Sequence, residues 1–227
     1  NGFSKFVHQV VPFTASASET TLMVASFANK VIAARGEKIF SSSSAELAIA
    51  IASSTGMTGS GTISVGSTVG FSSSGTIQIN SELFTYTGVN ATTFTGVTRA
   101  TSSTTAAAHT KFDVVSENWT VRDTGRTNAA KYHFERYNFD GNEKIICVDG
   151  VNAPVIFNSS MTAADVSESA VAGSTVVASY RNHMFYAGKS TTPQEIIFSE
   201  PFDEDGFVSG QGAGSISVDD TVVALKV

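Results

Sequence analysis

The sequence predicts an all-β protein, and three observations carry that prediction. The apolar runs are short, three to six residues for the most part, and residues that favour turns bound them. Ser and Thr make up 57 of the 227 residues, which is typical of strands and their connections. Between residues 61 and 97, apolar and polar residues alternate as they do in antiparallel strands with one buried face.

The elements follow in order along the chain. The first strands are predicted at 22–27 and 30–34, joined by a turn at Ala28-Asn29. The segment 45–52 is compatible with a strand or a short helix. The alternation of Leu47, Ile49 and Ile51 favours a strand with all three on one face. Further strands are predicted at 38–40, 119–122, 132–137, 144–148, 155–157, 175–179, 183–187 and 196–199. One helix is predicted at 162–172, which is rich in Ala and ends at Gly173.

The composition changes in the middle of the chain and indicates an insertion. Between Ser53 and Val115, 26 of 63 residues are Ser or Thr and only four carry a charge. The regular alternation of apolar and polar residues in this segment argues against a disordered linker. We therefore predict a small antiparallel barrel or sandwich at 53–113, inserted into a platform formed by 1–52 and 114–227.

An internal repeat predicts the architecture of the platform. The segments 144–157 and 183–198 resemble each other, with Phe157 and Phe198 41 residues apart. A period of 40 to 46 residues made of strands is the size of one four-stranded propeller blade. The strand 175–178 recurs at 221–224, so 221–227 is predicted to open another blade, supplied by further chain or completed by a neighbouring subunit.

The charge distribution bears on the class of partner. Residues 1–115 carry a net charge of +1 and residues 116–227 carry −7. Stable binding to nucleic acid needs clustered Lys or Arg, which the second half lacks. No stretch approaches 18 apolar residues, which excludes a transmembrane helix, and the single cysteine excludes a multi-cysteine zinc site.

Several short motifs in the sequence resemble functional sites but lack a required residue or have a structural interpretation. Gly188-Lys189-Ser190 lacks the earlier glycine of a phosphate-binding loop, and Asp203-Glu204-Asp205-Gly206 lacks the last ligand of a calcium loop. Asp123-Thr124-Gly125-Arg126-Thr127 matches the core of an Asp-box turn and indicates a β-hairpin. Cys147 lies in an apolar run and is read as a buried hydrophobe. We expect no enzymatic activity, no catalytic residue, no metal and no cofactor.

Two segments resemble known phage proteins. The run 177–188, then 193–202, then Ser215-Ile216-Ser217-Val218-Asp219-Asp220 resembles tail nozzle (tail tubular protein B-like) proteins of short-tailed bacteriophages. The segment 61–108 looks like a small β-domain that recurs in phage tail and baseplate proteins. The resemblance implies a partial β-propeller platform in the virion tail, assembled as a sixfold homo-oligomeric ring. It also implies a head-to-tail adaptor and tail fibre proteins as partners, and transient passage of viral DNA.

An acidic stretch supplies the candidate site residues. Between Gln194 and Leu225 the chain has seven carboxylates and no basic residue: Glu195, Glu200, Asp203, Glu204, Asp205, Asp219 and Asp220. We expect them to face a channel or a subunit boundary, because an acidic wall repels phosphate and leaves DNA free to slide. The alternative is a tail component that binds or cleaves carbohydrate, with Trp119, Tyr180 or Tyr186 stacking on sugar rings.

Overall fold

The computed structural model describes residues 21–128 and 130–226, and it confirms the all-β prediction. The first 20 residues of the predicted platform segment 1–52 lie outside the described residues. The strands are β1 (Thr21–Phe27), β2 (Lys30–Arg35), β3 (Lys38–Ser42), β4 (Ser44–Glu46), β5 (Thr58–Ser64), β6 (Gly75–Ile79), β7 (Glu82–Tyr86), β8 (Gly88–Asn90), β9 (Thr93–Thr98), β10 (Val114–Glu117), β11 (Thr120–Thr124), β12 (His133–Tyr137), β13 (Lys144–Val148), β14 (Val155–Asn158), β15 (Ala163–Asp165), β16 (Val176–Tyr180), β17 (His183–Ala187), β18 (Glu195–Phe198) and β19 (Gly214–Ser217). Two 3-10 turns occupy Ser169–Val171 and Ser209–Gln211.

The described residues divide into two compact units. One contains 29–31 and 41–120, and the other contains 21–28, 32–40 and 121–226. In the first unit, seven antiparallel strands, β4 to β10, form a sheet that curls around one core. The core is made of alternate apolar residues of these strands and their connections: Leu47, Ile51, Met57, Ile63, Val65, Ile77, Ile79, Phe84, Tyr86, Phe94, Val97 and Val115. We call this unit the curled-sheet unit.

The second unit contains three four-stranded sheets. The second sheet runs β12-β13-β14-β15 and the third runs β16-β17-β18-β19, each in chain order. The first sheet runs β1-β2-β3-β11, so the curled-sheet strands intervene between its third and fourth strands. The second and third sheets are thus antiparallel meanders, in which neighbours in sequence are neighbours in space, whereas in the first sheet this holds only for β1, β2 and β3.

Two apolar layers join the three sheets. β13 lies at the centre of the second sheet and is buried from Ile145 to Val148, so it serves both layers. Its alternate residues Ile145 and Cys147 pack with Phe27 and Ile32 of the first sheet. Ile146 and Val148 pack with Met184 and other residues of the third sheet. Because successive side chains of a strand point to opposite faces, one continuous apolar run supplies both interfaces.

Two tight turns have the same geometry. The turn Ala28-Asn29 between β1 and β2 has φ angles of 49° and 59°, and Arg181-Asn182 between β16 and β17 has 48° and 65°. Positive φ at both central residues is the geometry of a type I′ hairpin, whose twist matches that of the flanking strands. The predicted turn at Ala28-Asn29 is therefore confirmed.

The predicted helix at 162–172 is wrong. The segment forms β15 at Ala163–Asp165 and then a single 3-10 turn at Ser169–Val171. β15 pairs with β14 and completes the second sheet, with Ala163 opposite Phe157 and Asp165 opposite Val155. The helix propensity of alanine is a fraction of a kcal/mol per residue, and the ladder hydrogen bonds of a sheet edge outweigh it.

Two strand predictions also need correction. In the segment 45–52, Leu47 and Ile51 are buried and bridge to Val65 and His109, but Ile49 is 65% exposed. A bend between the two bridges breaks the period-two pattern, so the three residues do not share a face. The predicted strand at 221–227 is absent over 221–226, where Val222 instead donates its backbone N–H to Pro193.

Candidate functional site

The seven carboxylates of the acidic stretch fall into different environments. Glu204 is buried, and its Oε1 lies 2.6 Å from Nζ of Lys144. Burial lowers the pKa of Lys144, but the hydrogen bond and charge of Glu204 outweigh that effect and raise it. The hydroxyl of Tyr186 donates to the backbone oxygen of Glu204 at 2.9 Å. Glu204 therefore holds its loop to the second and third sheets and is not available to a passing ligand.

Three further carboxylates stabilise the same loop. Asp205 accepts hydrogen bonds from the backbone and the hydroxyl of Ser167, at 2.6 and 3.0 Å. Asp203 accepts from the backbone N–H of Asp205, and Glu200 from that of Val208. Among the described residues, no group of three or more His, Cys, Asp or Glu side chains is placed to hold a metal ion.

Four carboxylates of the acidic stretch are exposed: Asp203, Asp205, Asp219 and Asp220. Asp220 accepts a local hydrogen bond from Thr221. Glu195 begins β18 and is half-buried. The surface negative charge of the acidic stretch is therefore concentrated at Asp203, at Asp205 and at the pair Asp219-Asp220.

Glu195 also lines a cleft of about 250 Å³ beside the third sheet. Its other lining residues include Glu168, Ile197, Phe207, Ser209 and Ser215. Glu168 has a second role, because its Oε1 accepts the backbone N–H of Ala170 and caps the first 3-10 turn. The cleft thus brings two carboxylates, one aromatic ring and two serines together.

The face of the third sheet that points away from the second sheet carries an aromatic cluster. Phe185 and Phe198 are cross-strand partners with ring centroids 5.6 Å apart. His183 lies 5.8 Å from Phe198, and Tyr180 lies 6.4 Å from Phe185. Tyr180 is 46% exposed and Ile216 is 50% exposed. We call this surface the aromatic face.

The curled-sheet unit contains a buried ionic centre. Glu82 is fully buried, and both of its oxygens accept hydrogen bonds from Arg99 at 2.8 Å. Nε2 of His109 lies 2.8 Å from Oε2 of Glu82, and the backbone N–H groups of Ala100 and Ala107 point at the same carboxylate. Burial raises the pKa of Glu82, but these partners, Arg99 first, overcome it and lower the pKa to about 2.

Arg99 ties this centre to the surrounding loops. Its Nη1 donates to the carbonyl oxygens of Ala52 and Thr55, and its Nη2 to that of Ala107. Glu82 and Arg99 are two of only four charged residues between Ser53 and Val115. That scarcity was the available signal, because a charge kept in such a segment tends to be paired.

The prediction that the Asp-box turn at 123–127 forms a β-hairpin is wrong. β11 belongs to the first sheet and β12 to the second, so the turn connects two sheets and is not a β-hairpin. The Arg126 side chain is buried and pairs with Asp123 and Asp165, and its Nη1 donates to the carbonyl of Ala153 at 2.8 Å. The turn therefore fastens the end of the first sheet to the second.

Comparison with known proteins gives no assignment. No family model matches the chain, and no curated protein matches its sequence. The site must therefore be judged on its geometry.

The remaining sequence candidates divide between core and surface. Cys147 is buried and packs against Met23, and burial raises the pKa of its thiol to about 12. Tyr186 is 1% exposed, which removes it from the aromatics proposed to stack on sugars, whereas Tyr180 stays accessible. Among the residues that the structure describes, no helix is both long and apolar enough to cross a membrane.

Proposed function

We propose that this chain is a structural component of the tail of a short-tailed bacteriophage, part of the nozzle platform through which the genome leaves. The observation that carries the proposal is the stack of three four-stranded sheets, the first of which is interrupted after its third strand by the curled-sheet strands. Four-stranded sheets packed face to face are the building principle of propellers. Their apolar faces pack on one another within the chain and hold the three sheets together.

The charge pattern supports the conduit part of the proposal. The net charge of −6 and the exposed Asp203, Asp219 and Asp220 give a surface that repels the phosphate backbone. In a sixfold ring this charge is repeated six times around the axis. DNA then slides past the wall without attractive contacts that hold it.

The proposal is tested by locating the protein in the particle. Antibodies raised against the full chain are applied to purified virions and followed by gold labelling in the electron microscope. Labelling confined to the tail supports the proposal. Sixfold symmetry in averaged images of the labelled region supports the ring assembly. Labelling of the capsid, or recovery of the protein only outside the particles, contradicts it.

One observation favours the carbohydrate alternative. The cleft with Glu168, Glu195 and Phe207 has the carboxylates and the ring that sugar recognition uses. Glycan-array binding that the paired substitution Glu168→Gln and Glu195→Gln abolishes would support this alternative. Polysaccharide turnover lost in the same variant would also overturn the structural role.

A further inference from the structure

The chain contains three Asp-Gly pairs, at 140–141, 149–150 and 205–206. In such a pair the backbone nitrogen of the glycine can attack Cγ of the aspartate, because glycine has no Cβ to shield that nitrogen. The attack requires a carboxyl group and a backbone nitrogen that are both free to move. The three pairs differ in how far their surroundings allow that movement.

The pair Asp149-Gly150 is held in place on both sides of the reacting bond. Asp149 is 5% exposed, and its Oδ1 accepts the backbone N–H of Asn152 at 2.7 Å. The backbone N–H of Gly150 donates to the carbonyl oxygen of Ser174 at 3.0 Å. A Cβ added at Gly150 would lie 3.0 Å from Cγ2 of Thr175, so the backbone has no spare room. Neither the carboxylate nor the nitrogen can move until these contacts break.

The pair Asp205-Gly206 is also held, although Asp205 is exposed. Oδ1 of Asp205 accepts hydrogen bonds from the backbone and the hydroxyl of Ser167, at 2.6 and 3.0 Å. The carbonyl oxygen of Gly206 accepts the backbone N–H of Glu200 at 2.8 Å. A Cβ added at Gly206 would lie 2.8 Å from Oδ2 of Asp203. Reaction at this pair therefore requires that its loop open first.

The pair Asp140-Gly141 lies in the connection between β12 and β13, and both residues are exposed. Apart from its chain neighbours, a Cβ added at Gly141 would meet no atom of the described residues within 4 Å. The carboxylate of Asp140 accepts hydrogen bonds from the backbone and the side-chain amide of Asn142, at 3.2 and 3.3 Å. Both bonds lie within the same connection, so they open without disturbing a sheet.

We propose that Asp140-Gly141 is a site of spontaneous covalent modification, at which Asp140 isomerises to isoaspartate through a cyclic imide. The nitrogen of Gly141 bonds to Cγ of the neutral carboxyl group. The nitrogen loses its proton and Cγ loses its hydroxyl, and the two leave together as one molecule of water. Water then adds to the backbone carbonyl carbon of Asp140 and breaks its bond to the nitrogen, which gives isoaspartate. Water is the only co-reactant, and no atom is oxidised or reduced.

The fold should tolerate the modification. The main chain then runs through Cβ and Cγ of Asp140, which lengthens the connection by one carbon and leaves the number of charges unchanged. The strands on either side stay paired from His133-Val148 to Tyr137-Lys144, and Lys144 is held by Glu204. The modified chain therefore accumulates in the folded state, whether or not the protein belongs to a phage tail.

The test follows isomerisation in the full chain, kept folded for several weeks near neutral pH and then digested with trypsin. Cleavage after Arg136 and Lys144 releases 137–144, in which Asp140 is the only aspartate. Isoaspartate leaves the peptide mass unchanged and shifts its retention, whereas deamidation of Asn138 or Asn142 changes the mass. We expect at least about tenfold more isomer at Asp140 than at the other two pairs, because those react only after local opening.

Two controls separate the effect of the fold from that of the dipeptide. In guanidinium chloride the three pairs should isomerise at similar rates, because their contacts are gone. Asp140→Glu keeps the carboxylate but would need a larger ring, so it should show no isomer at this position, with the pair at 149–150 unchanged. Equal rates at the three pairs in the folded chain would overturn the proposal. So would isomerisation of Asp140 that is seen only in guanidinium chloride.

Discussion

Glu82 and Arg99 form a two-pronged ion pair inside the curled-sheet unit, with both N···O distances at 2.8 Å and the carboxylate shielded from solvent. Seventeen residues separate them, from the start of β7 to just beyond β9. Two parallel N–H···O bonds fix the orientation of both groups, which a single contact does not. The pair is therefore a specific connection between strands and loops rather than a surface charge contact.

Removing the charge of Glu82 should destabilise the protein strongly. Glu82→Gln leaves the guanidinium of Arg99 buried without a counter-charge, and breaking one side of such a pair costs about 3–5 kcal/mol. Urea unfolding followed by circular dichroism measures the loss. Glu46→Gln is the matched control, since Glu46 is exposed, and it should change the free energy of unfolding by less than about 0.5 kcal/mol. Similar small losses in both variants would contradict a stabilising role for the pair.

The same carboxylate should make stability depend on acid pH. Its pKa is about 2 in the folded protein, below the ordinary 4.5, so the unfolded chain takes up the proton first as the pH falls. The contribution of Glu82 is complete above pH 4.5 and is lost between pH 4.5 and 2. Urea titrations over this range should show a steeper loss for the wild type than for Glu82→Gln. If the stability of the wild type and of Glu82→Gln fell equally with pH, the acid sensitivity would come from other groups.

The Lys144–Glu204 pair should anchor the acidic loop. Glu204→Gln removes the charge that faces the ammonium, and we expect a loss of about 1–3 kcal/mol in the free energy of unfolding. Asp219→Asn changes an exposed carboxylate of the same acidic stretch that lies outside this loop and is the control, with an expected change below about 0.5 kcal/mol. A double-mutant cycle with Lys144→Met isolates the interaction, and a coupling near zero would refute it.

Charge reversal on the surface should create affinity for DNA. Because Glu204 is buried against Lys144, a Lys at 204 would unfold the loop, so the informative variant is Asp203→Lys, Asp219→Lys and Asp220→Lys. We expect duplex DNA binding at low salt that weakens as salt rises, and slower DNA release from particles carrying the variant. The Asn triple variant at the same positions removes charge without reversing it and should bind far less. Unchanged release kinetics in intact particles would exclude a channel position for these residues.

Cys147 should be unreactive in the folded protein. Burial raises the pKa of its thiol to about 12, so at pH 8 almost no thiolate is present and reagents have no access. Ellman's reagent should release no colour from native protein and one equivalent in guanidinium chloride. Rapid reaction without denaturant would show that the layer between the first and second sheets opens readily.

Local sequence patterns predicted most of the strands correctly. They failed where contacts with residues distant in sequence decide the local structure. The alternation in 61–97 and the turn at Ala28-Asn29 depend on neighbours in sequence, so they were predictable. The alanines of 162–172 read as a helix, yet β14 offers them a sheet edge. Ile49 follows the spacing of Leu47 and Ile51 but points into solvent, because a bend lies between the bridges that hold its neighbours.

By itself, the sequence determined the all-β class, the turn at Ala28-Asn29 and the acidic second half, because strand period, turn chemistry and net charge are properties of short segments or of composition. Only the tertiary structure decided which apolar face has a cover, which carboxylates of the acidic stretch are exposed, and that Glu82, Arg99 and His109 meet in one centre. Burial and ion pairing join residues tens of positions apart, so their free energies appear only when the sheets have packed.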